Sequence, residues 1–154
     1  MLTGLWQVYC DLPAKTLAST RRSGGLSMRL FIAINFNTDT HVRLIALRDE
    51  LSLHAQQGKF SLDANLHLTL AFLGECDIKQ TSAAKSVMDA ISFKPFNVAV
   101  EHVGRFKRDG GDIWWAGLRA TKPLMNLQST LTERLREAGF VLESRKYSPH
   151  ITLG

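Results

Sequence analysis

Residues 65–75 read NLHLTLAFLGE, with Leu66, Leu68, Leu70 and Phe72 on every second position. In a strand, residues two apart share a face, so the run turns one apolar face to a core. The other face then presents His67, Thr69 and Ala71. An imidazole and a hydroxyl side by side on the second face of a half-buried strand raise the question of whether the chain repeats the arrangement.

It does so at the end of the chain. In KYSPHITLG, His150 and Thr152 share one face while Ile151 and Leu153 share the other. The surroundings repeat as well. Upstream of the first pair, MRLFIAINF alternates Leu30, Ile32, Ile34 and Phe36 as a strand. Asn37 and Thr38 suit a helix cap, residues 38–54 carry the stripe Leu44, Leu47 and Leu51, and residues 56–64 read as a loop. Upstream of the second pair, IWWAGL reads as a strand. Pro123 then opens a helix with the stripe Leu124, Leu127, Leu131 and Leu135, and Gly139 stops it. From Ala33 to His67 is 34 residues, and so is the step from Ala116 to His150. Two related halves, each delivering one His-x-Thr pair, are the reading. Between them, residues 78–91 fit a helix with Ala83, Ala84, Val87, Met88 and Ile91 inward. A strand with Phe96, Val98 and Val100 on one face follows Pro95, then a basic, glycine-bearing loop over residues 104–111. Residues 140–142 read as a short strand.

With 154 residues, 45% hydrophobic and 21% charged, the composition is that of one compact domain. The net charge of +5 and pI near 9.5 suit a polyanionic partner without specifying one. Cys10 and Cys76 stand far apart with no CxxC, which reads as reduced thiols in a cytoplasmic protein, Cys76 being a small buried filler. No apolar run approaches the ~18 residues of a membrane helix, so no membrane partner is expected. Residues 1–27 contain the polar, glycine-rich TLASTRRSGGLS and no secretory h-region. Met28 reads as the natural start, residues 1–27 as an upstream extension with little fixed structure, and residues 28–154 as the domain.

One His-x-Thr says little, because threonine favours strands and a lone strand histidine is mostly structural. Two copies in matching places weigh more. Histidine has an ordinary pKa near 6.5, so one ring of a pair can be neutral while the other is protonated. That suits in-line displacement at phosphorus, where a neutral ring takes a proton from water and a charged ring gives one to the leaving oxygen. Thr69 and Thr152, with backbone amides, would hold the non-bridging oxygens. The scheme uses no nucleophilic side chain, no metal and no cofactor. HExxH, zinc-type Cys/His spacing, GxxxxGK[ST] and GxSxG do not occur. His41, His54 and His102 read as surface or helix-end residues. Arg105, Lys107 and Arg108 in the basic loop, and Arg145 and Lys146 before the second motif, are candidate contacts to a polyanionic partner, with the aromatic Tyr147 and Phe106 next to them in sequence.

Taken in order, MRLFIAI, NLHLTLAFLGE, IWWAGL and YSPHITLG resemble the 2H phosphoesterase superfamily. The closest branch is the RNA 2′,3′-cyclic phosphodiesterases, also called 2′-5′ RNA ligase-like proteins, and the resemblance runs over residues 28–154. It implies an α+β fold of two lobes, antiparallel sheets with helices packed outside and a pseudo-twofold axis through a central cleft. It also implies metal-independent hydrolysis of a terminal 2′,3′-cyclic phosphate to a 2′-phosphomonoester, and for some members the joining or opening of 2′-5′ linkages in tRNA halves. The implied catalytic residues are His67, drawn as acid, and His150, drawn as base, with Thr69 and Thr152 on the phosphate. The implied partner is RNA with a cyclic phosphate end, such as a tRNA half, or a small cyclic nucleotide, and the implied state is a monomer. An arginine and further chain beyond the second motif are implied too. With Gly154 as the last residue, the second lobe is expected to be incomplete, Ile151 and Leu153 to lack cover and their strand to fray. A different function class stays open: a module that binds RNA or nucleotides without turnover.

Overall fold

A computed structural model of the chain describes residues 27–154 and, for Trp6–Cys10, the backbone alone. Two three-stranded antiparallel sheets make two lobes. The first joins β1 (Trp6–Cys10), β2 (Met28–Ile34) and β3 (Leu68–Cys76) in that order, and the second joins β4 (Val100–Phe106), β5 (Ile113–Leu118) and β6 (His150–Thr152) likewise. Helix α1 (Thr38–Leu53) links β2 to β3, α3 (Lys122–Glu137) links β5 to β6, and α2 (Ile78–Asp89) connects the lobes. Each half therefore runs edge strand, middle strand, helix, motif strand. The architecture is the two-lobed α+β fold with helices outside and a central cleft. Among the described residues, no helix is long and apolar enough to cross a membrane.

Local chemistry sets the helices. The Asn37 side chain accepts from the Thr40 amide at 3.0 Å to cap α1, and Asp77 with Gln80 forms a full capping box on α2. Pro123 sits in the first turn of α3, whose four stripe leucines are all buried. At its other end Gly139, with φ +90°, takes a left-handed conformation that a side chain resists. The buried residues of both sheets and of α3 form one continuous core.

Several expectations are corrected. Trp6–Cys10, within the extension expected to lack fixed structure, pairs along β2 from Trp6↔Ile34 to Cys10↔Leu30; the rest of residues 1–26 lie outside the described residues. The strand after Pro95 starts at Val100 and runs through Phe106, so residues 104–106 belong to it rather than to a loop. Gly104 is there for close approach and not for a turn: a Cβ on it would lie 2.5 Å from the Trp115 ring. Residues 140–142 form no strand, because the Phe140 amide donates to Leu135 and closes α3.

Two bulges interrupt the simple alternation in β3. Its register with β2 shifts between Ile32 and Ala33 and again between Leu30 and Phe31, skipping Leu70 and Leu73. A bulge adds a residue and re-aims those beyond it. Phe72, expected in the core, is therefore turned out beside Phe31 and is 60% exposed, while Leu73 is buried.

The last strand is covered. Ile151 and Leu153 are 1% and 0% exposed, the Leu153 amide donates to the Trp114 carbonyl at 2.8 Å, and the Ser61 amide donates to the Leu153 carbonyl at 2.8 Å. A loop of the first half thus helps to hold the strand that was expected to fray. Leu153→Ala should accordingly cost about 2–5 kcal/mol, the usual range for emptying a full leucine site. Urea unfolding would measure it, and a loss within experimental error would restore the frayed strand.

Candidate active site

His67 sits just before β3, between buried Leu66 and Leu68, so it projects from the face turned away from the core. A single 3-10 turn, Asp63–Asn65, leads into it. That turn is tethered by Arg48, whose guanidinium donates to the Ser61 carbonyl at 2.7 Å and to Asp63 Oδ1 at 2.6 Å. The His67 ring stacks on Phe31 with centroids 4.9 Å apart and planes at 23°. Phe72 lies 6.1 Å beyond Phe31. Burial among these rings pushes the His67 imidazole below its ordinary pKa, with a hydrogen bond to the Ala64 backbone opposing the shift.

His150 opens β6. Its Nδ1 lies 2.8 Å from the Ser148 carbonyl. A carbonyl only accepts, so Nδ1 carries the proton in this bond. Rings wall this histidine too, Phe106 edge-on at 5.4 Å and Trp115 at 6.1 Å. In register, His150 lies opposite Gly117 and Thr152 opposite Trp115. Thr69 lies opposite Ala33. The repeat read from the alanines is thus one residue out: Trp115, not Ala116, takes the place that Ala33 holds in the first sheet.

The two motif strands lie side by side and are tied together. The Tyr147 hydroxyl donates to the Thr69 carbonyl at 3.0 Å. Burial pushes that phenol far above its ordinary pKa, so it stays a protonated donor. Gln128 Nε2 donates to the Leu70 carbonyl at 3.3 Å, and Ser61 Oγ donates to the Thr152 carbonyl at 2.9 Å. Tyr147 is therefore a strut between halves and is not presented for stacking.

The basic candidates scatter. Arg105 shares a face with Trp114 and Ala116, opposite to that of His150. It pairs with Asp112 at 2.5 Å and lies over the Trp114 ring at 5.7 Å. Lys107, Arg108 and Lys146 are exposed, and exposed Arg145 pairs with Glu143 at 3.1 Å. Phe106 does reach the His150 face. Cys76 is fully buried, and burial raises its thiol pKa, as suits a filler. Among the described residues no group of three His, Cys, Asp or Glu side chains gathers as a metal site would require. The rings at Phe31, Phe72 and Trp115 were not visible as site residues in the sequence, because bulges and cross-strand register decide which face each takes.

Comparison with known proteins gives the same direction. Residues 36–115 match the family described as LigT like phosphoesterase, a span that includes His67 and Thr69. An RNA 2′,3′-cyclic phosphodiesterase of Thermotoga maritima is 34% identical over 130 residues, covering 82% of this chain and 69% of that protein. One of Archaeoglobus fulgidus is 29% identical over 129 residues, covering 82% and 72%. Among solved structures, Escherichia coli LigT complexed with 3′-AMP superposes with a TM-score of 0.70 at 29% identity, covering 83% of this chain and 72% of that one. The TT0787 protein of Thermus thermophilus gives 0.70 at 24%, covering 82% and 73%, a likeness of fold.

The lowered pKa of His67 has a signed consequence for stability. As pH falls through 6.5 the unfolded chain takes up a proton on this residue before the folded chain does. Folding free energy should therefore decline as pH falls from 6.5 and level off below the folded-state pKa. His67→Gln should flatten that decline when urea unfolding is followed between pH 8 and about pH 5. Parallel curves for the two proteins would contradict the burial argument.

Proposed function

The chain belongs to the LigT-like phosphoesterase family, and from that premise we propose that it hydrolyses a terminal 2′,3′-cyclic phosphate on RNA to a 2′-phosphomonoester. His67 and His150 move the protons, and the cyclic phosphate lies between them. The observation that carries this reading is the pairing of two His-x-Thr segments on neighbouring strands of a phosphoesterase fold, each histidine held against aromatic rings.

Water attacks phosphorus in line with the bond to O3′. One neutral imidazole takes the water proton as the new P–O bond forms, and the other, protonated, gives its proton to O3′ as the P–O3′ bond breaks. Thr69 and Thr152 hold the non-bridging oxygens, where charge builds up. Burial favours the neutral form of His67 in the free protein, which suits it to accept the first proton and reverses the order of roles implied by the resemblance. In the reverse step O3′ attacks phosphorus as the bond to the departing water breaks, re-forming the cyclic phosphate, and the two rings exchange roles. Tyr147 acts through Thr69, as a positioning residue. The net charge of +5, with Lys107, Arg108, Arg145 and Lys146 exposed, draws the RNA backbone toward the domain.

A cyclic-phosphate-ended oligonucleotide tests the proposal. His67→Ala and His150→Ala should each lower kcat/KM by roughly 10²-fold or more, the scale of lost acid–base catalysis. Thr69→Ala and Thr152→Ala should each cost about 3- to 10-fold, one hydrogen bond's worth. EDTA should leave the rate unchanged. If His67 is the base, the residual activity of its variant should lose the acidic limb of the bell-shaped pH profile while that of the His150 variant keeps it. Binding of the 2′-phosphate product with no turnover of the cyclic form would make the protein a binding module.

A further inference from the structure

His102, on β4, has no role in the scheme above. It occupies the same face of the second sheet as His150, because both are register partners of Gly117, one from each side. Its ring does not trail off the sheet edge. A Cβ built on Gly117 would lie 2.6 Å from His102 Cε1 and 2.7 Å from Nε2, so the imidazole leans across β5 into the space that glycine leaves open. Trp115 fixes its tilt, edge to face at 5.2 Å and 79°, and the same indole touches the His150 wall. The residue remains exposed, and no hydrogen bond to a described residue occupies its nitrogens. Leaning over the middle strand brings the ring to about one strand spacing, ~4.8 Å, from β6.

We propose that His102 is a substrate contact that binds the phosphodiester linking the terminal nucleotide to the rest of the RNA, one phosphate away from the group between His67 and His150. The inference rests on the reading of the site as one for cyclic-phosphate ends, and it narrows the substrate to an oligonucleotide. A ring nitrogen is a suitable donor to a phosphate oxygen, and the seat over Gly117 holds it next to His150 with little freedom left to lose on binding. The tryptophan orients the ring, and the glycine makes the room. Glu101, the acidic neighbour on β4, is turned to Arg119 at 2.6 Å and so does not compete for the ring.

The test compares a dinucleotide ending in a 2′,3′-cyclic phosphate with a nucleoside 2′,3′-cyclic phosphate. His102→Ala and His102→Phe should each lower kcat/KM about tenfold on the dinucleotide, as expected for one hydrogen bond to a charged group, and leave the mononucleotide unchanged. His102→Phe keeps a ring on Trp115 and removes the donor, which separates the contact from packing. A dinucleotide with a neutral methylphosphonate linkage should make wild type and variants equal. Equal losses on both substrates, or none on either, would overturn the proposal. If neither substrate is hydrolysed, the reaction reading fails. The role of His102 is then read from calorimetric binding of the dinucleotide 2′-phosphate, weakened about tenfold by His102→Phe if the proposal holds and unchanged if it does not.

Discussion

A strand at the edge of a sheet leaves a row of backbone groups without partners, and among the described residues both motif strands are edges. β3 ends the first sheet and β6 ends the second, so their outward carbonyls need donors from elsewhere. Each half supplies the other. Tyr147 and Gln128, from the second half, donate to Thr69 and Leu70 on β3. Ser61, from the first half, donates through its hydroxyl to Thr152 and through its amide to Leu153 at the end of β6. The carbonyls of both motif threonines are thus satisfied across the molecule. These bonds, together with the shared core, hold the two motif strands against one another.

The walls of the site follow from how each strand departs from regularity. In the first lobe two bulges in β3 turn Phe72 out to join Phe31, and the His67 ring lies flat on Phe31. In the second lobe there is no such bulge in β6, and glycines do the equivalent work. Gly104 and Gly117 clear the surface of the sheet on either side of the Trp115 indole, which with Phe106 stands against His150. The two imidazoles consequently meet different surroundings. One is stacked and desolvated, and the other is touched edge-on and pinned through Nδ1 to Ser148. Burial holds the first of them below its ordinary pKa.

Much of this was legible in the sequence. Alternation in MRLFIAI and NLHLTLAFLGE marked the strands, the leucine stripe marked α3, and the duplicated His-x-Thr pointed to the two-lobed plan and the candidate pair. Register was not legible. A step of 34 residues from each alanine to its histidine suggested that Ala33 and Ala116 correspond, whereas cross-strand pairing sets Trp115 in that place. Gly104 looked like punctuation in a basic loop, because nothing local says that an indole on the next strand will need its missing Cβ. The face that Arg105 takes was hidden for the same reason, since only its charge shows in the sequence. Tyr147 was read as a free aromatic because its partner, Thr69, lies in the other half.

The reciprocal capping of β3 and β6 makes each half depend on the other. A single half, with its edge strand, middle strand, helix and motif strand, would leave the outward carbonyls of its motif strand to water or to a second copy of itself. The chain carries both halves, joined through α2, and their donors to one another differ: a phenol and an amide side chain in one direction, a serine in the other. The two halves also differ in their motifs, since one histidine precedes a bulged strand and the other stands beside a glycine-cleared tryptophan.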